Sequence, residues 1–234
     1  MNNNISSAIL ATGIAIGLLG AGYMVSKSRI ADRFVEVKGL AEQVVKSDYA
    51  SWTIYYRSTG DSLENALAGT EKSGKSVQDF LKKHGFEESE FENGQLKITD
   101  KLANPYDNNG IAATAQRYVI DANITLRTRK IDNVVKASQQ TLDLAKGGVV
   151  LASDYYNSVP VYEFKGLNDL KPKMIESATK DARRAADQFA KDSGASVGDI
   201  RRATQGYFSV EPLDATNSLH QKVRVVSTIE FFFE

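Results

Sequence analysis

Apolar and small residues, none of them charged, fill the start of the chain from Ile5 to Val25. A helix rises about 1.5 Å per residue, so about 20 such residues span the hydrocarbon core of a bilayer. The pattern predicts one N-terminal transmembrane helix, preceded by a short tail (1–4) and followed by a linker (26–32). A cleaved signal segment is the alternative, because Gly20-Ala21-Gly22 offers small residues to a signal peptidase.

After the linker, apolar and polar residues alternate in several segments, as expected for strands that are covered on one face. In the clearest of them, Ile120 and Ala122 share one face while Asp121 and Asn123 share the other. Gly39 is expected to end the first strand. The segments predicted as strands are 33–38, 44–58, 91–102, 114–128, 149–164, 197–210 and 222–233.

Between these strands, apolar residues recur every three or four positions, which is the spacing of an amphipathic helix. The first predicted helix begins at Asp61, with Glu64 at the capping-box spacing, and ends at Gly85. Two more helices are predicted over 130–145 and 168–193. Alanine dominates the buried side of the helix over 168–193, which favours close packing on a sheet. The element order β, β-α-β-β, α-β-α-β-β predicts an α+β fold of antiparallel sheets with helices on one face.

Composition excludes several classes of function. The chain has 29 Lys and Arg against 29 Asp and Glu, so no net charge favours a nucleic acid. Because it has no cysteine, it forms no disulfide, thiol nucleophile or Cys-ligated zinc site. His84 and His220 are the only histidines, and neither has a second ligand at metal-binding spacing. We therefore expect no metal, no cofactor and no nucleic-acid partner.

One motif is a candidate for catalysis, since Gly60-Asp61-Ser62-Leu63 matches the GDSL motif of a hydrolase family. A nucleophilic serine needs a general base, usually a histidine that is held by a carboxylate. The nearest arrangement is Asn217-Ser218-Leu219-His220, where asparagine stands in place of the acid. Asp61 as a helix N-cap explains the same residues without chemistry. The sequence favours a protein that is not an enzyme, with a GDSL-like esterase using Ser62 as an alternative.

Two short motifs carry a family resemblance. Gly39-Leu40-Ala41-Glu42 followed by Asp48-Tyr49-Ala50 resembles the opening signature of the SIMPL domain family, also called DUF541. Ser47 stands where that family usually has proline. The resemblance covers about Phe34–Glu234, so 33–234 is assigned to a SIMPL-like domain. Further matching positions follow in order along the chain: Tyr118, Ala178, Ala182, Arg183, Ala186, Ala190, Gly194, Val197 and Gly198.

The resemblance implies a fold based on β-α-β-β units, in a bacterial cell-envelope protein that assembles into oligomers and is linked to envelope or oxidative stress. It implies no catalytic residue. The expected partners are the lipid bilayer, through residues 5–25, and other copies of the chain. Lys27, Arg29 and Arg33 follow the anchor and favour a cytoplasmic domain by the positive-inside rule. The resemblance favours the periplasm, and we expect a single-pass inner-membrane protein with a periplasmic domain.

Aromatic residues are the candidates for an oligomer interface, since exposed aromatic side chains are enriched at interfaces. Ordinary strand core is the alternative for those near Pro160. The leading hypothesis is a membrane-anchored protein that self-assembles into a scaffold or ring. A monomeric module that binds a small ligand or peptide is the alternative. The candidate interface residues are Tyr155, Tyr156, Tyr162 and Phe164 around Pro160, and Phe232 in the largely apolar last strand.

Overall fold

The structure is a computed structural model, and it divides the chain into two compact units. Unit 1 consists of Met1–Gln43, Asn168–Glu211 and Lys222–Glu234, and unit 2 consists of Val44–Leu167 and Pro212–Gln221. Along the chain, unit 2 is therefore inserted between parts of unit 1. The residues that the structure describes are 13–22, 33–103, 116–152, 159–214 and 219–233.

The described residues form antiparallel sheets and helices, and the predicted α+β class is confirmed. Residues 13–22 are helical and are called α1. The other elements are β1 (Phe34–Lys46), β2 (Tyr49–Gly60), α2 (Leu63–Lys83), a 3-10 turn (Glu88–Glu90), β3 (Phe91–Asn93), β4 (Lys97–Asp100), β5 (Tyr118–Thr128), α3 (Ile131–Gln139), α4 (Leu142–Lys146), β6 (Val150–Leu151), β7 (Val161–Glu163), α5 (Leu167–Ser193), β8 (Val197–Gln205), β9 (Ser209–Pro212) and β10 (His220–Phe233).

A six-stranded antiparallel sheet forms the centre of unit 2. Its strand order is β3-β5-β2-β6, and β4 also pairs with β5 while β7 pairs with β2. The register places Trp52 opposite Leu126 and Ile54 opposite Ile124, and all four side chains are buried. Helices α2 and α3 pack on this face, so the predicted alternation in β2 and β5 is confirmed.

Unit 1 is built on a four-stranded sheet, in which β10 lies between β1 and β8 and also pairs with β9. Helix α5 buries one stripe of residues at four-residue spacing, as predicted from its alanines. Its spacing in the sequence also predicts Phe189 on the buried side of this helix, and this prediction is wrong, because Phe189 is exposed. The buried residues of α5 are Met174, Ala178, Ala182, Ala186 and Ala190.

Gly39 lies inside β1 and does not end it, which corrects the prediction. A Cβ at this position would lie 1.9 Å from the carbonyl oxygen of Ala178 and 2.6 Å from the backbone nitrogen of Ala182. The glycine is therefore required by the close approach of helix α5, and the strand continues through it to Lys46. A glycine in a strand pattern can either end the strand or allow another backbone to approach closely, and only the packing distinguishes these two roles.

Several other predicted elements are divided in the structure. The strand predicted over 149–164 forms β6 and β7, and the strand predicted over 197–210 is replaced by β8 and β9. The strand predicted over 91–102 forms β3 and β4, and between them the N–H of Gly94 donates to the carbonyl of Asn123 at 2.8 Å. The helix predicted over 130–145 forms α3 and α4, with a break at Gln140 and Thr141. A continuous helix over 130–145 predicts Leu142 on the buried side. The break instead turns Leu144 into the core and leaves Leu142 exposed.

In the part of the chain that the structure describes, no helix has both the length and the apolar character needed to cross a bilayer. The helical residues 13–22 belong to the predicted anchor over residues 5–25, and the ends of that anchor lie outside the described residues. The anchor therefore stays a prediction. The predicted hairpin tip 104–110 also lies outside the described residues.

Candidate functional site

Ser62, the candidate nucleophile, is the N-cap of helix α2. Its backbone is extended, and its Oγ accepts a hydrogen bond from the backbone N–H of Asn65 at 3.2 Å. The cap is thus one residue later than the predicted Asp61, whose Oδ1 accepts from the Ser62 N–H and from the Asn65 side chain. The Asn65 and Ser62 hydrogen bonds lower the pKa of Asp61 below its usual value. These contacts give the motif a role in starting the helix.

His84 does not serve Ser62, because it is the C-cap at the opposite end of the same helix. Its Nδ1 lies 2.8 Å from the carbonyl oxygen of Phe80, and its Nε2 lies 3.0 Å from Oε1 of Gln140. The ring also packs against the Phe80 ring, with centroids 4.3 Å apart. His84 thus holds the end of α2 beside α3. Among the described residues, no group of three or more possible ligands could hold a metal ion.

The first family motif organises the packing of unit 1. Gly39 admits the backbone of α5, and the N–H of Leu40 donates to Oδ2 of Asp181 on that helix at 3.0 Å. Ala41 is buried, and Glu42 forms an ion pair of 3.5 Å with Arg224 of β10. Gly39, Leu40 and Glu42 of this motif therefore support the contact of β1 with α5 or β10.

Other matching positions have similar structural roles. The guanidinium of Arg183 donates to the carbonyls of Gly198 and Val197 at 2.9 and 3.1 Å, and it lies over the Phe231 ring. In unit 2, Oδ1 of Asp48 accepts from the backbone N–H of Lys165 at 2.6 Å. The matching residues thus hold backbone and helix in place, and their contacts form no catalytic arrangement among the described residues.

The predicted interface residues have different surroundings. Tyr162 is half-buried against the core of unit 2, and burial raises its pKa although a hydrogen bond with Ser138 lowers it. Phe164 and Phe232 are half-buried, and Tyr155 and Tyr156 lie outside the described residues. Their part in an interface stays a prediction.

A surface that no sequence motif indicates lies on the other side of the unit 2 sheet, and we call it the open sheet face. The described helices of unit 2 pack against the opposite face. On the open sheet face, the Thr53 and Thr125 hydroxyls lie 3.1 Å apart and Arg57 pairs with Asp121 at 2.6 Å. Its residues are Tyr49, Ser51, Thr53, Tyr55 and Arg57 of β2, Asp121, Asn123, Thr125 and Arg127 of β5, Val150 of β6 and Val161 of β7.

One end of the open sheet face forms a groove of about 550 Å³. Tyr55 and Asn123 lie at its base, beside the Arg57–Asp121 ion pair, and Lys97 contributes from β4. The alternation of β2 and β5 predicts which residues share this face. The groove itself depends on Lys97 and on Val150, which only the pairing of distant strands brings to it.

These observations define the class of protein. It is an α+β protein with two antiparallel sheets, and its motif residues hold backbone and helix together. A family model, SIMPL, described as "Protein of unknown function (DUF541)", matches residues 35–229. The chain therefore belongs to the SIMPL family, and the resemblance found in the sequence is confirmed.

The other comparisons add no function. No curated protein matches the chain. Among solved structures, "Crystal structure of a hydrolase from Listeria innocua" has 11% sequence identity, covers 82% of this chain and 91% of its own, and gives a TM-score of 0.18. A similarity at this level carries no argument about fold or activity.

Proposed function

We propose that this SIMPL protein is a non-enzymatic, membrane-anchored component of the bacterial envelope that self-assembles into an oligomeric scaffold or ring. Residues 5–25 anchor it in the inner membrane, with the SIMPL domain in the periplasm and a role in envelope or oxidative stress. Anchoring concentrates the domains in one plane, so avidity stabilises an assembly whose single contacts are weak.

The observation that carries the proposal is the open sheet face. Val150 and Val161 on that face are 61% and 55% exposed, and Thr53, Tyr55 and Thr125 between them are only half-buried. Apolar and hydroxyl side chains on a sheet face that none of the described helices of unit 2 covers favour contact with a second surface, because their burial removes apolar area from water. The ion pairs Arg57–Asp121 and Arg127–Glu92 flank this strip and give it a polar rim.

The first test is the mass of the full-length protein in mild detergent, measured by light scattering beside a truncated chain that starts at Lys27. The proposal expects both to be large and uniform. If both are monomeric, the proposal is wrong. If only the full-length form is large, association comes from the anchor and the domain interface is wrong.

A second test locates the interface. Val161→Glu places a charge on the open sheet face, and the matched control Leu142→Glu places one at an exposed leucine of α4, on the helix side. We expect Val161→Glu to reduce the mass while Leu142→Glu leaves it unchanged. Phe232→Glu tests, in the same assay, the interface that the sequence predicts. Equal effects of Val161→Glu and Leu142→Glu would count against the open sheet face.

A further inference from the structure

A second groove of unit 2 lies on the helix side of the sheet, between helix α2 and the segment that joins β3 to β4. Its volume is about 530 Å³. Tyr56 of β2 and Ala122 of β5 form its floor, and these two residues are direct partners in the sheet register. Leu67 of α2 and Leu96 stand on opposite walls. We call this feature the Tyr56 groove.

Small residues keep the Tyr56 groove open. A Cβ at Gly74 of α2 would lie 2.8 Å from the Tyr56 hydroxyl oxygen, so only glycine lets that hydroxyl pass beside the helix. Gly94 lies on the other wall, and a Cβ there would lie 1.9 Å from Oδ1 of Asn123. At one end, the Gln78 side chain donates to the Asn93 side chain at 3.2 Å and bridges the two walls.

The Tyr56 hydroxyl is the unusual group in this groove. The side chain is 95% buried, since its relative exposure is 5%. The hydroxyl forms no hydrogen bond with any residue that the structure describes. Among the described residues, the fully buried side-chain polar atom without a partner is Oγ of Ser227, so the Tyr56 hydroxyl is accessible from the groove although most of its side chain is buried. Burial also raises the pKa of Tyr56, so the hydroxyl keeps its proton and remains able to donate as well as accept.

We propose that the Tyr56 groove is a binding site for a small uncharged molecule with an apolar, ring-sized body and one hydrogen-bonding group, which pairs with the Tyr56 hydroxyl. Leu67, Leu96 and Ala122 supply the apolar contacts. The charged residues that line the groove are two acids and two bases, which favours a ligand without net charge. They are Glu71, Asp79, Lys75 and Lys82. Tyr56 and Leu67 line this groove and not the groove of the open sheet face, whereas Ala122 and Asn123 line both.

The test uses the full chain in mild detergent and two probes of similar shape, phenol and fluorobenzene, of which only phenol has a hydroxyl. The readout is the shift of the amide signals of Gly74 and Gly94 in a nitrogen-proton NMR spectrum, which reports on the groove itself. We expect saturable shifts with phenol and weaker binding of fluorobenzene. A hydrogen bond contributes about 0.5–1.5 kcal/mol, so the difference in Kd should be about twofold to tenfold.

Two matched variants separate the hydroxyl from the ring. Tyr56→Phe removes the hydroxyl alone and should weaken phenol to the level of fluorobenzene. Tyr207→Phe, at a fully exposed tyrosine that does not line the groove, should leave both titrations unchanged. Leu96→Ala removes one apolar wall and should weaken both probes. Absence of saturable shifts at Gly74 and Gly94, or equal phenol binding in Tyr56→Phe, overturns the proposal.

A stability measurement gives an independent readout. Because the Tyr56 hydroxyl has no hydrogen-bond partner among the described residues, Tyr56→Phe should leave the urea midpoint unchanged. A lowered midpoint would mean that the hydroxyl has a partner within the chain, and the proposal would then be wrong.

Discussion

Both units pack helix against sheet, but they do so with side chains of different size. In unit 2, the space between sheet and helices is filled by large residues such as Trp52, Phe80 and Leu81. In unit 1, helix α5 meets its sheet through Ala182 and Ala186, together with Phe231 and other apolar residues of the strands. Gly39 brings the backbone of β1 against the backbone of α5. Large side chains therefore separate the helices of unit 2 from their sheet, whereas in unit 1 the backbone of α5 lies close to the backbone of β1.

The difference explains where the family motifs lie. A core of large residues tolerates many apolar side chains of similar total volume. In the sequence it therefore appears as an alternation of apolar and polar positions, without particular residue types at those positions. A backbone contact admits only glycine or alanine at defined positions, so it leaves identifiable residues such as Gly39, Ala178 and Ala182 in the sequence. The motif residues are thus explained by the short distance between two backbones, and the contacts that they form give no evidence of a reaction.

The largest expected effect is that of Gly39→Ala in unit 1. The added Cβ meets backbone atoms, which no rotamer change relieves, so we expect a loss greater than the about 1–3 kcal/mol typical of overpacking. Hydrogen exchange by mass spectrometry should show lost protection in peptides of β1 and α5. Gly69→Ala in unit 2 is the control, because its Cβ would meet only the Ser58 side chain. Equal effects would contradict the backbone-contact account.

Trp52→Ala tests the opposite kind of core. It empties the largest fully buried side chain of unit 2, and large-to-small changes of this type cost about 3–5 kcal/mol. Loss of protection should be measured in β2, β5 and α2. A cost below about 1 kcal/mol would mean that unit 2 collapses around the cavity and is not packed by large residues in the way described.

A paired comparison sharpens the contrast between the units. Ala186→Leu enlarges a residue of α5 that is fully buried, and we expect it to cost about 1–3 kcal/mol. Leu81→Met keeps nearly the same volume in unit 2 and should cost less than about 1.5 kcal/mol. Urea midpoints of the two variants give the measurement. The contrast fails if Ala186→Leu is as well tolerated as Leu81→Met.

Smaller effects are expected at the start of helix α2. Ser62→Ala removes the N-cap hydrogen bond to Asn65 and should lower stability by about 0.5–2 kcal/mol. Hydrolysis of a generic ester by the wild type that disappears in Ser62→Ala would instead revive the esterase alternative. Ser76→Ala, in the interior of the same helix, is the control, since its hydroxyl only bonds back to Lys72.

The smallest predicted effect is a pH dependence in unit 2. Burial raises the pKa of Glu90, but hydrogen bonds from the Glu87 N–H, Lys130 and Thr128 outweigh it, and the pKa lies below its usual value. The folded state therefore binds the proton less readily than the unfolded state. This contribution is complete above the unfolded pKa and is lost as the pH falls through the folded pKa. Thermal unfolding between pH 7 and pH 3 should show a shallower acid loss in Glu90→Gln.

Periodicity predicted much of the fold, and it failed where distant backbone contacts decide. Alternation placed Trp52 and Ile124 on the covered face correctly, and the three-to-four spacing located α2 and α5. It missed the break between α3 and α4 and the continuation of β1 through Gly39. Of the surfaces, alternation identified the residues of the open sheet face, while the Tyr56 groove had no sequence signal.

By itself, the sequence determined the α+β class, the faces of the long strands, the alanine stripe of α5 and the family, because these depend on local periodicity and on residues fixed in order. Only the tertiary structure decided the role of Gly39, the cap at Ser62 and the position of the Tyr56 hydroxyl, which has no hydrogen-bond partner among the described residues. Each of these depends on atoms from segments far apart in the chain or on backbone geometry. The spacing of side chains along the sequence does not show how closely two backbones approach in the fold. That distance shows whether a motif residue is needed for packing or belongs to a binding site.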